Sequence, residues 1–162
     1  MSPANPGQSA VEARLAELGI TLPEVAAPVA SYVPAVTSGT LVFTSGQLPF
    51  IGGELTASGK VGAPGGVDAE TARSLAATCA VNALAAVKSR IGDLDRVTRI
   101  VKVVGFVASD PSFTGQPGVI NGASELLGHA FGDAGVHARS AVGVAVLPLD
   151  SPVEVELVAE FV

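Results

Sequence analysis

An α+β fold is predicted, with two helices packed on one face of a mixed sheet in the order β-β-β-α-β-α-β-β. Three observations predict it. Apolar residues recur at helical spacing from Ala72 to Ile91 and again from Val119 to Phe131. Short β-branched or apolar runs, such as Leu41-Val42-Phe43-Thr44, stand between turn signals (Ser38-Gly39 and Ser45-Gly46). The end of the chain alternates strictly, with Val153, Val155, Leu157, Ala159 and Phe161 set against Glu154, Glu156, Val158 and Glu160.

The 162 residues fit one domain spanning 1–162, long enough to bury about two thirds of the unfolded surface around a single core. Residues 1–30 form an N-terminal arm: a loose tail over residues 1 to 8, a short helix that opens on the capping-box spacing Ser9-Ala10-Val11-Glu12 and ends at Gly19, and a proline-rich extended connection from Pro23 to Pro34. Tyr32 to Thr37 is expected to pair with the strand 41–44, and Gly52-Gly53 to turn into a short third strand near Glu54 to Thr56. The stretch Gly59 to Gly66, with four glycines and a proline, reads as a surface loop, since it lacks the Gly-Lys-Ser/Thr ending of a phosphate-cradling loop and the spacing of a dinucleotide site.

Asp68 is a good N-cap for the long core helix, which runs to Gly92 with a stripe made mostly of alanine. Cys79 lies inside that stripe, which makes it a packed thiol rather than a nucleophile. Val97 to Ala108 is apolar enough on both sides to be a central strand, and a second helix runs from Pro117 to Phe131, with proline tolerated in its first turn. Strands at 138–147 and 153–161 follow, and their own pattern suggests a hairpin. Two helices cover only one face of such a sheet, so the other face meets water or another chain. Hydrophobic residues make up 48% of the sequence and charged residues 15%, a shortage of charge that favours another chain.

Composition also bounds function. Nine basic against fifteen acidic side chains give a formal charge of -6, which repels a phosphate backbone, so no nucleic-acid partner is expected. One cysteine excludes an intrachain disulfide, and His129 and His137 show no spacing that resembles a metal site, so no metal or other cofactor is expected. No apolar run approaches the roughly 18 to 20 residues of a membrane span, and Met1 to Gln8 carries no basic stretch followed by an apolar one; a cytoplasmic location and no membrane partner are expected.

The chemistry concentrates between Gly135 and Glu156. A strand over 138–147 places Arg139, Ala141, Gly143, Ala145 and Leu147 on one face and Ser140, Val142, Val144 and Val146 on the other. The arginine shares its face with small residues, which leaves space for a ligand bearing a carboxylate that its planar fork would grip through two hydrogen bonds. The competing reading is a structural arginine paired with one of the chain's own acids.

Three stretches together resemble the RidA/YjgF family of reactive intermediate (imine) deaminases: Tyr32-Val33 followed by Gly39 and Thr44-Ser45-Gly46-Gln47-Leu48-Pro49; Phe106-Val107; and Ala138-Arg139-Ser140 leading to Leu147-Pro148 and Val153-Glu154-Val155-Glu156. The resemblance spans residues 30 to 162. It implies a chorismate-mutase-like fold, homotrimeric with a central barrel, helices outside and clefts between subunits. It also implies that the strands 138–147 and 153–161 flank the strand 97–108 instead of forming a hairpin. In the cleft, the resemblance gives Arg139 the carboxylate of a 2-imino or 2-enamino acid and Glu154 a water, with Tyr32, Ser45, Gly46 and Asn121 lining the pocket beside Ala141. Glu156 is read as solvated or structural.

Three departures accompany it. Deaminases of the family commonly carry a cysteine two residues after the arginine, where this chain has Ala141. The loop from Phe113 to Asn121 holds extra residues, and the first 30 residues have no counterpart in the shortest members. Two functions follow: a hydrolytic deaminase yielding 2-oxo acids and ammonia, or a small-carboxylate-binding, metabolite-sensing protein without turnover. An RNA-cleaving role, described for some relatives, lacks a basic cluster and a histidine pair placed as acid and base.

Overall fold

The computed structural model describes residues 9–25 and 31–162. The expected loose tail and the middle of the proline-rich connection lie outside those residues. Ser9 caps helix α1 (Ala10–Glu17), its hydroxyl accepting from the Glu12 N–H. A five-stranded sheet has the order β1 (Ala35–Ser38), β2 (Leu41–Thr44), β7 (Val153–Phe161), β5 (Val97–Ala108) and β6 (Ala138–Val144). Strand β5 runs parallel to β6 and antiparallel to β7, as the family resemblance implies and as the hairpin expectation does not. The link from β6 to β7 crosses the end of β5, where the β5 residue Ala108 donates its N–H to the Pro152 carbonyl.

Helices α2 (Ala69–Ile91) and α3 (Gln116–Phe131) lie side by side on one face of the sheet. Asp68 caps α2 through the Thr71 N–H at 2.9 Å, and Gly92 ends it at φ 84°, a left-handed conformation that glycine adopts without a Cβ penalty. The alanine stripe lets the helices come close. A Cβ at Gly122 of α3 would run into the Arg73 carbonyl of α2, so only glycine fits there. The core lies between these helices and the sheet, with Leu84, Val87, Ile100, Val103, Ile120, Leu127 and Leu157 buried. Each such side chain contributes about 1.5–3 kcal/mol relative to exposure.

Helix α1 packs on α3 through buried Val11 and Leu15. The Asp95 carboxylate accepts from the Ser9 hydroxyl and from the Ala10 and Val11 N–H groups at its N-terminus. Burial pushes the Asp95 carboxyl up, but those donors outweigh it and hold the group below the usual carboxylate range.

Four local expectations change. The first strand begins at Ala35 rather than Tyr32, because the Ser45 N–H bonds the Pro34 carbonyl at 2.8 Å and closes the ladder there. The third strand is instead half of a separate ribbon of β3 (Phe50–Ile51) and β4 (Glu54–Leu55) around Gly52-Gly53, tethered to α2 because the Asn82 amide donates to the Leu48 and Phe50 carbonyls. Strand β6 stops at Val144. The glycine-rich loop is not confined to the surface: the Val61 N–H bonds the Ala108 carbonyl and its side chain is buried in the core.

Cys79 is fully buried, its thiol facing the Val153 carbonyl. Burial, reinforced by the charge of Glu154, holds the thiol well above its ordinary pKa, so it stays protonated and unreactive. Cys79→Ala should cost about 1 kcal/mol of stability by chemical denaturation and leave any turnover within a few-fold. A hundredfold loss of rate with the fold intact would make the thiol catalytic.

Candidate functional site

Register decides which way each side chain faces. Val103, buried under the helices, pairs with Arg139, and Gly105 pairs with Ala141, so Arg139, Ala141 and Gly143 lie on the helix-bearing side of edge strand β6. The half-buried guanidinium reaches over α3. Its Nη1 donates to the Asn121 Oδ1 at 2.8 Å and the Ser124 Oγ at 3.1 Å, and its Nη2 donates to the Pro117 carbonyl at 3.3 Å. Positions 117, 121 and 124 fall on one stripe of α3, which explains how a single arginine meets all three.

That accounts for three of the five guanidinium donors. Both Nη1 hydrogens are used and one on Nη2, which leaves Nε–H and the second Nη2 hydrogen. Among the described residues no carboxylate pairs with Arg139; the ion pairs there are Arg73 with Glu125, Lys88 with Glu12, and His129 with Glu17.

Ser124 and His137 complete this cluster. The His137 Nε2 lies 2.9 Å from the Ser124 Oγ, and its Nδ1 lies 2.6 Å from the Gly135 carbonyl. Sequence reasoning did not place either residue here. Their signals were present: Ser124 stands three residues after Asn121, one helical turn on, and His137 shares the face of Arg139 two residues upstream.

Glu154 belongs to a different place. Its neighbours Val153 and Val155 face the helices, so Glu154 points from β7 to the uncovered side, opposite Phe106. Its carboxyl is pushed above the usual range, first by burial and then by the charge of Glu156 on the same face. The backbone of Gly46 runs directly beneath it, and a Cβ at position 46 would collide with the Glu154 carboxylate. Ser45 joins this group with its hydroxyl donating to the Val33 carbonyl at 2.6 Å, next to Tyr32, which is 61% exposed. The predicted residues thus divide in two: Arg139, Asn121 and Ala141 at the β6 edge, and Tyr32, Ser45, Gly46 and Glu154 around β2 and β7.

Beyond the arginine cluster, an open cleft of about 300 Å³ lies at the carboxyl ends of β5 and β6, lined by Ser109, Asp110, Phe113, Gln116, Gly143 and Ala145. Gln116 crosses its floor, donating to the Ser109 Oγ and the Phe113 carbonyl. Among the described residues no group of three or more His, Cys, Asp or Glu side chains is placed to hold a metal ion, and no helix is long and apolar enough to cross a membrane.

Residues 12–161 match the family described as "YjgF/chorismate_mutase-like, putative endoribonuclease". The chain is 46% identical over 151 residues to Protein TCP17 of Trypanosoma cruzi, covering 93% of each. Protein Atu1372 of Agrobacterium tumefaciens, solved without a known function, is 47% identical and superposes with a TM-score of 0.88 over 94% of this chain and 93% of its own. TdcF of E. coli, solved with bound serine, is 27% identical with a TM-score of 0.54 over 83% of this chain and 91% of its own. With its mixed sheet, its helical layer and nearly its whole described length matched, the chain belongs to the YjgF/chorismate mutase-like family.

Proposed function

We propose that the protein is a hydrolytic deaminase of reactive 2-imino and 2-enamino acids, releasing 2-oxo acids and ammonia at a cleft between the subunits of a homotrimer. The observation that carries this reading is the state of Arg139: held by three bonds to α3, free of any acid among the described residues, and left with an unused Nε–H on the edge that Nε shares with Nη2. That edge matches a carboxylate. The serine bound to TdcF is a small carboxylate of the expected class.

The reaction needs little beyond positioning. With the carboxylate on Arg139, Glu154 of the partner subunit takes a proton from a water as it attacks the imine carbon. Glu154 returns that proton to the nitrogen; as the C–N bond of the tetrahedral adduct breaks, the adduct's hydroxyl becomes the carbonyl and gives its hydrogen to the departing nitrogen, which leaves as ammonia. An enamine first gains a proton at its β-carbon to become the imine. A carboxyl group whose pKa is raised by burial is a better base for that water than an ordinary carboxylate.

The homotrimer supplies what one chain lacks, since Arg139 and Glu154 occupy opposite faces of the sheet, two strands apart. The uncovered face carries Val36, Phe43 and Val142 at 49%, 39% and 44% exposure, an apolar surface suited to burial against other copies. Sedimentation equilibrium at micromolar concentration should give three times the 16.0 kDa chain mass; a single 16.0 kDa species would sink the assembly.

Ammonia and 2-oxo acid release, measured on an imino acid generated in situ by an amino-acid oxidase, tests the activity. Ala141 favours one other reading, a metabolite-binding protein without turnover, because it offers no thiol beside the arginine. Tight 2-oxo acid binding with no acceleration of ammonia release would establish that alternative. The net charge of -6 gives no support to RNA cleavage.

A further inference from the structure

We propose that Ser124 and His137 form a directed hydrogen-bond chain that holds Arg139 in its ligand-binding pose, which makes His137 a positioning residue. The inference rests on the carboxylate-binding reading of Arg139 given above.

The direction of the chain is fixed from both ends. The Gly135 carbonyl only accepts, so the His137 Nδ1, 2.6 Å away, carries the hydrogen. In the neutral ring Nε2 then holds a lone pair and accepts the Ser124 hydroxyl hydrogen across 2.9 Å. At the other end the guanidinium only donates, and the Ser124 Oγ receives it across 3.1 Å. Each group therefore has the polarity its neighbour needs, and each bond strengthens the next.

The consequence concerns the serine. A helical serine hydroxyl rotates freely and bonds the carbonyl four residues earlier when nothing else claims its hydrogen. His137 claims it and thereby keeps the oxygen lone pairs on the arginine side. A long side chain on an edge strand loses considerable rotamer freedom when it is fixed, and anchors already in place lower that cost at the moment of binding. Asn121 holds Nη1 and the Pro117 carbonyl, at 3.3 Å, holds Nη2 only loosely; Ser124 adds the second bond to Nη1 and so tightens the rotation of the plane. His137 needs no contact with ligand to matter.

Calorimetric affinity for pyruvate, measured on the assembled protein with melting temperatures recorded in parallel, tests the chain. His137→Phe keeps the ring shape but removes the acceptor, and should weaken binding about fivefold or more. His137→Gln places a side-chain oxygen near the former Nε2 and should return affinity to within about twofold of wild type. Ser124→Ala should match His137→Phe, and the double variant should be no weaker than Ser124→Ala alone, because His137 acts only through the serine. The proposal is overturned if His137→Phe binds like wild type, if Gln and Phe at 137 lose affinity equally, or if the two single losses multiply in the double variant. Pyruvate binding by wild type that is lost in Arg139→Lys but unchanged in His137→Phe removes this inference alone. Equal binding by wild type and Arg139→Lys removes the carboxylate site and this inference together.

Discussion

Arg139→Lys is expected to weaken binding of pyruvate or 2-oxobutyrate about a hundredfold, the scale of losing one partner of a hydrogen-bonded charge pair, while the protein stays folded and assembled. Lysine keeps the positive charge but concentrates it on one compact ammonium. It gives up the planar edge shared by Nε and Nη2. It also cannot bond Asn121, Ser124 and the Pro117 carbonyl while facing a ligand, because an ammonium has three donors and the three anchors use all of them. The nearby Ala141 and Gly143 supply no substitute side-chain donor. A purely structural arginine would respond in the opposite sense. Lysine would retain part of its role, and the main effect would be a lower melting temperature with little change in affinity. That pair of results would refute the carboxylate site.

Glu154→Gln should lower deamination by about 10²- to 10⁴-fold, the contribution of a positioned base, with affinity for a 2-oxo acid changed only a few-fold. The pH dependence carries a sign that can be checked. Burial, followed by the charge of Glu156, raises the Glu154 carboxyl, so the acid limb of the rate profile should lie above the range of an ordinary carboxylate. Glu156→Gln removes the second cause and should move that limb to lower pH. Stability follows the same shift. A carboxyl whose folded-state pKa exceeds its unfolded value contributes stability that is fully present below the unfolded pKa and is lost as pH rises through the folded one. Glu154→Gln should therefore melt higher than wild type at neutral pH, with the difference vanishing in acid. A variant that turns over at the wild-type rate would remove Glu154 from the chemistry.

Much of the fold was legible because local and global signals agreed. Asp68 and Gly92 bracket α2 by capping chemistry that depends on no other part of the chain, and the alternation of β7 marks its buried face residue by residue. The neighbours of β7 were not legible from periodicity. A turn-like stretch between two alternating runs looks the same whether the strands pair or straddle a third, and only the family resemblance distinguished them. The ribbon of β3 and β4 was half seen because two-residue strands carry almost no pattern. At the site, Arg139 stood out through its small neighbours, whereas Ser124 and His137 did not. Their meeting depends on how α3 is rotated above β6, a property set by packing contacts such as Gly105 against Ile120. The division of the site between two faces also follows from strand order, which had to be known first.

Strand β7 lies in the middle of the sheet although the other four strands of that sheet precede it in the sequence. Until residues 153–161 emerge from the ribosome, the β1–β2 hairpin and the β5–β6 pair have no strand to join them, and each presents an open edge. The nascent chain therefore carries all three described α-helices and most of its core residues through a stage at which the sheet is two unconnected halves. Closing it requires β7 to pair with β2, more than a hundred residues earlier in the sequence, as in Val42 with Ala159. Closing of the sheet should therefore wait until β7 has been made, and a ribosome stalled before β7 would display a chain prone to pair with its neighbours.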